Sequence, residues 1–187
     1  MQRREFVAGV GSVGVIASAG GILWRGLPSF GDGAPAPSGD EDGDPLEVET
    51  VDAKGSTAGT FDVRGGDDGA EATAIMFFTT GCGQCQAQIP RLAEARERLA
   101  TRHGDAVRFL SVTYQSPERL PSETLREWWT DHSGEWAVGY EDGLAAAYGV
   151  VGFPVTIVVD SEGEKDWEEN GVLSPRRVVG GVESVIE

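Results

Sequence analysis

The sequence predicts an α/β domain in which helices flank a mixed central sheet. Three observations carry that expectation. Short apolar runs at 72–79 and 107–114 alternate with amphipathic stretches of helical period at 82–102 and 121–132. A third apolar run at 155–160 passes through the turn 161–164 into 165–169, which reads as a hairpin. The chain has 187 residues, 40% of them apolar, enough for one core with a short appendage.

The elements follow in order. Residues 46–53 alternate apolar and polar through Leu46, Val48 and Thr50, and 60–63 returns as a hairpin partner, so the domain opens on a β-hairpin extension. A loop at 65–69 leads to 72–79, where Ile75, Met76, Phe77 and Phe78 form a continuous run suited to a strand buried on both faces. In 82–102, Ile89, Leu92, Ala95 and Leu99 share one helical face opposite Arg91, Glu94 and Glu97, and Pro90 predicts a kink. The helix at 121–132 has Ser122 at its start. Its Trp128-Trp129 pair should place one ring in the core and one at the surface, with His132 solvent-exposed at the helix end. A short strand at 136–140, a helical turn at 143–148 and the hairpin follow. A last helix opens at Ser174-Pro175, with proline at its first position.

The first 45 residues read as an address and a tether. Arg3-Arg4 precedes a charge-free stretch from Phe6 to Trp24 that is rich in glycine, alanine and valine, the pattern of an export signal. Arg3-Arg4-Glu5-Phe6-Val7 resembles the twin-arginine motif. Ala17-Ser18-Ala19 offers a small-x-small cleavage site, while nineteen uncharged residues also approach the length that spans a bilayer. Residues 1–25 are therefore an export signal, released or kept as a membrane anchor. Residues 26–45, dominated by Gly, Pro, Ser and Asp, read as a flexible acidic linker, which leaves 46–187 as the folded domain.

The formal net charge is −16, and lysine occurs only at Lys54 and Lys165. Such a surface repels nucleic acid and anionic headgroups. The acidic, lysine-poor composition resembles that of proteins from extreme halophiles, where salt screens the self-repulsion.

The chain has two cysteines, arranged as Cys82-Gly83-Gln84-Cys85 after the buried strand and at the head of the helix. The first helical turn presents unpaired N–H groups and partial positive charge, which favour a thiolate. Zinc would need two more ligands, and His103 and His132 lack paired spacing. A purely structural disulfide closing four residues would add little stability. The pattern therefore points to redox chemistry without metal or cofactor.

The stretch FFTTGCGQCQAQIPRL resembles the active-site segment of thioredoxin-fold thiol–disulfide oxidoreductases, in particular the exported TlpA/ResA-like branch. Pro90 stands where that family has a helix proline. Tyr148-Gly149-Val150-Val151-Gly152-Phe153-Pro154-Val155-Thr156 is similar to its Y-G-V-x-G-x-P-x-T segment. The resemblance covers about 46–187. It implies a cis Pro154 facing the cysteines, with the backbone at Phe153 and Pro154 aligning substrate as an added strand. Cys82 would attack a client disulfide and Cys85 would resolve the mixed disulfide, with Gly83 and Gln84 completing the active-site loop. Clients would be exported thiol proteins, such as those of cytochrome c or copper-site assembly, served by a monomer with a separate redox partner. A Cu(I)-delivery module using the same two thiolates is the rival reading.

Three positions depart from the family. Gly81 replaces a tryptophan, Met76 the aspartate of thioredoxins proper, and Gln88 a glutamate common in the TlpA/ResA branch. Both carboxylates that would manage the second thiol's proton are missing, so water or another group would have to serve.

Overall fold

Seven strands form one mixed sheet in the order β2-β1-β5-β4-β3-β6-β7 in the computed structural model, which describes residues 44–65 and 69–186. The strands are β1 (Glu47–Thr50), β2 (Gly59–Asp62), β3 (Ala72–Phe78), β4 (Val107–Thr113), β5 (Ala137–Tyr140), β6 (Val155–Asp160) and β7 (Lys165–Asn170). The helices are α1 (Gly83–His103), α2 (Ser122–Asp131), α3 (Leu144–Ala147) and α4 (Pro175–Ile186). The segment read as signal, 1–25, and the linker of 26–45 up to residue 43 lie outside the described residues. Among the described residues no helix is long and apolar enough to cross a membrane.

The expected elements are all present, and the sheet shows how they join. β3, β4 and β5 run parallel, and β6 and β7 add antiparallel on the other side. The hairpin β1–β2 extends the sheet through an antiparallel contact of Thr50 with Gly139 in β5. Gly139 is required there, because a Cβ would collide with the Glu49 carbonyl.

β3 divides the core. Ala72, Ala74, Met76 and Phe78 face a layer holding α1, α2 and α4, while Ile75 and Phe77 face the other side. This is the period-2 alternation of a strand covered on both faces. The cover is unequal: among the described residues the only helix on the second face is the four-residue α3, with Val63, Val150 and Tyr148 from connecting segments. α1 buries Cys85, Gln88, Ile89, Leu92, Ala95 and Leu99 along one stripe. Each full burial of an Ile or Leu side chain there contributes about 1.5–3 kcal/mol. Pro90 sits on the exposed side of a helix assigned without interruption from Gly83 to His103.

Trp129 is wholly buried, and its indole N–H donates to the Trp136 carbonyl at 3.3 Å. Trp128 is half-buried and stacks on Phe78. His132 departs from expectation. It is half-buried rather than solvent-exposed, stacked on Trp128 at 4.4 Å with its Nδ1 2.7 Å from the Trp128 carbonyl oxygen. A ring returning over its own helix end meets the residue four positions earlier, which here is aromatic.

Candidate active site

The cysteine motif begins four residues past the end of β3. Cys82 is not the first helical residue but the N-cap of α1, with extended backbone, and its Sγ accepts a hydrogen bond from the Cys85 N–H at 3.2 Å. A sulfur in that position meets orphan N–H groups and the positive end of the helix, both of which stabilise negative charge. Both cysteines are free thiols; Cys82 is partly exposed and Cys85 fully buried. Burial pushes the Cys85 thiol up to about 12, and the hydrogen bond to Cys82 and that residue's charge add to the shift. The pair is thus asymmetric, with one sulfur reachable and capping the helix, the other covered and held protonated. Gly83 and Gln84 form the exposed first turn. A Cβ at Gly81 or Gly83 would meet nothing within 4 Å, so neither glycine is demanded by crowding.

Two glutamines that the sequence did not single out hold the loop before Cys82. Gln115, just past β4, accepts from the Thr80 N–H at 2.7 Å and from the Thr80 hydroxyl at 2.9 Å through one oxygen. Gln86 donates its side-chain N–H to the Thr80 carbonyl at 3.0 Å. The signal in the sequence was slight: polar side chains just beyond a buried strand and within the first helical turn.

The Phe153–Pro154 peptide is cis. Pro154 directly precedes Val155, which lies across from Phe77 in β3, so this bond sits at the same end of the sheet from which β3 leads to Cys82. The Gly171 N–H donates to the Pro154 carbonyl at 2.8 Å. Gly152 has φ +99°, a conformation that a side chain would strain. Among the described residues, neither Gly152 nor Phe153 has a backbone hydrogen-bond partner, so their peptide groups are open to an added strand. Phe153 is 50% exposed and Val151 86%. With Tyr114 and Val150 they line an apolar cavity of about 250 Å³.

The departures noted in the sequence take physical form here. Met76 is buried in the same layer as Cys85, and across from it in β6 stands Thr156. Gln88 is buried one helical turn after Cys85 and accepts from the Leu173 N–H at 2.7 Å. The Gln88 Nε2 and the Thr156 hydroxyl are buried without a hydrogen-bond partner. The layer beneath α1 therefore holds neutral polar groups where a carboxylate was expected. Among the described residues no cluster of three or more His, Cys, Asp or Glu side chains is arranged to hold a metal ion.

No protein-family model matches the sequence, and no curated protein does either. Solved structures do match. StoA from Bacillus subtilis superposes with TM-score 0.55 at 12% identity, covering 72% of this chain and 92% of that one. A secreted Mycobacterium tuberculosis disulfide oxidoreductase gives TM-score 0.56 at 16% identity, covering 75% and 96%. The exposed lipoprotein thioredoxin of Streptococcus pneumoniae gives 0.55 at 20%, covering 74% and 97%. The second of these is described as a disulfide oxidoreductase and the third as a thioredoxin, and neither favours the Cu(I) alternative. At such identities the likeness establishes the fold: this chain has the thioredoxin fold.

Proposed function

We propose that the protein is an exported thiol–disulfide oxidoreductase that reduces disulfides of extracytoplasmic proteins through the Cys82–Cys85 couple. The observation that carries this reading is the sulfur of Cys82 capping α1, with Cys85 buried one turn behind it. The oxidoreductases among the structural neighbours support it. Export is supported by the twin-arginine-like start and by the secreted and lipoprotein relatives in fold.

The Cys82 thiolate attacks one sulfur of a client disulfide. The Cys82–client bond forms, the client S–S bond breaks, and the other client sulfur leaves as a thiolate that takes a proton from water. Cys85 then gives up its proton and attacks the Cys82 sulfur. The Cys82–Cys85 bond forms as the mixed disulfide breaks, and the second client thiol is released. The client gains two electrons and the couple loses two, which a separate dithiol partner must return. Phe153 and Pro154 would align the client strand beside Cys82.

The test is a trapping pair with insulin as model client and dithiothreitol as donor. Cys85→Ser should accumulate a mixed disulfide at Cys82 and turn over at a small fraction of the wild-type rate, while Cys82→Ser should neither trap nor turn over. Wild-type turnover by Cys82→Ser would end the reading.

A further inference from the structure

The end of the sheet that carries Cys82 also carries two surfaces of different character, and together they describe a client. One is the apolar cavity of Tyr114, Val150, Val151, Gly152 and Phe153, beside the open peptide groups that precede Pro154. Val151 and Phe153 are the large apolar side chains left exposed among the described residues. Water contact at 86% of a valine is unfavourable for the isolated domain and is relieved when an apolar group covers it. The Tyr114 hydroxyl is buried at this cavity without a hydrogen-bond partner.

The other surface is acidic. A cavity of about 400 Å³, which Ser116 and Pro117 help to line, is walled by Glu47, Glu49, Glu118, Glu141 and Asp142. It stands at the same end of the sheet, because Glu118 follows β4, Glu141 and Asp142 follow β5, and β1 runs antiparallel to β5. The two surfaces adjoin: the Glu141 N–H donates at 2.9 Å to the carbonyl of Thr113, the residue before Tyr114. Asp44, which also lines this cavity, is paired with Arg64. Among the described residues no salt bridge ties Glu47, Glu49, Glu118, Glu141 or Asp142 to a Lys or Arg, although Glu141 Oε1 accepts the Ala145 N–H at 2.8 Å.

Resting on the oxidoreductase reading, we propose that the preferred client is an extended cysteine-bearing segment of a basic protein. A large apolar side chain close to its cysteine seats against Val151, Phe153 and Tyr114. Lys or Arg side chains further along face Glu118, Glu141 and Asp142. Apolar burial supplies affinity, and the charge supplies orientation and a faster encounter.

The test uses four disulfide-linked peptide dimers. Each carries Phe or Ala beside its cysteine and an Arg pair or a Glu pair three to five residues away. Reduction is followed with dithiothreitol as donor, and hydroxyethyl disulfide serves as a small neutral reference. The Phe/Arg peptide should exceed the Ala/Glu peptide by at least about tenfold in kcat/KM, with the Arg-over-Glu preference falling as salt rises. Val151→Asp should collapse the Phe-over-Ala ratio. The triple change Glu118→Gln, Glu141→Gln and Asp142→Asn should collapse the Arg-over-Glu ratio. These readouts are ratios within one variant, so a general loss of active protein does not imitate them. Equal rates for all four peptides, with hydroxyethyl disulfide still reduced through Cys82, would overturn this proposal and leave the oxidoreductase reading standing. Failure to reduce any of the five would remove both.

Discussion

At Cys85 the fold buries a thiol and holds its proton. The thiol is fully buried and held up at about 12, whereas Cys82 is partly exposed. Iodoacetamide at neutral pH should therefore label Cys82 alone in the folded dithiol form, with Cys85 labelled only after unfolding; peptide mapping would show it. The same shift has a consequence for stability. Between the ordinary thiol value of 9.0 and about 12, the folded state keeps a proton that the unfolded chain has lost. Stability of the reduced protein should thus fall as pH rises through that window. Tyr148, also raised to about 12 by burial, acts in the same direction. The contribution of Cys85 is the extra slope of reduced wild type over Cys85→Ala in denaturant titrations across pH. Equal slopes would contradict the burial argument. Gln88 is the other residue to change. Gln88→Glu keeps the acceptor for the Leu173 N–H and places an acid where the unpartnered Nε2 now lies. It should speed resolution of the mixed disulfide near neutral pH and cost about 1–3 kcal/mol of stability for the buried carboxyl.

Among the elements, the strand–loop–helix unit β3–α1 carries the site, and Gln115 ties it to β4. One Gln115 oxygen accepts both the N–H and the hydroxyl of Thr80. Gln115→Leu should leave these donors unpaired, costing about 1–3 kcal/mol in chemical denaturation, and lower turnover by loosening the approach to Cys82. The element pattern was readable from sequence because period-2 and period-3.6 runs coincide with real faces: Ile89, Leu92, Ala95 and Leu99 do line the buried stripe of α1. The placement of Cys82 and Cys85 at the head of α1 and the cis bond at Pro154 were readable for a similar reason, since each stands at a junction the motif marks. Gln115 and Gln86 were not, because a glutamine's role is set by which loop folds against it. His132 was misjudged because its ring turns back onto Trp128, a contact between side chains that position along a helix does not reveal.

The whole molecule is governed by its charge. With a net charge of −16, self-repulsion opposes the compact state unless counterions screen it. The thermal midpoint should rise as KCl increases from about 0.1 M to about 2 M, most steeply at the low end where the screening length changes fastest. A midpoint insensitive to salt would show that the acidic surface costs the fold little. The part of that surface carried by Glu118, Glu141 and Asp142 lies at the end of the sheet from which β3 leads to Cys82, and there the charge bears on the proposed client choice. The central claim remains the couple itself. Its direct test is a redox titration of the folded protein against dithiol buffers, with Cys82 and Cys85 counted by alkylation and mass. The account predicts one reversible two-electron transition near thioredoxin's potential, about −270 mV. A midpoint near about −120 mV would contradict the reducing direction. No reversible Cys82–Cys85 transition at all would contradict the redox site.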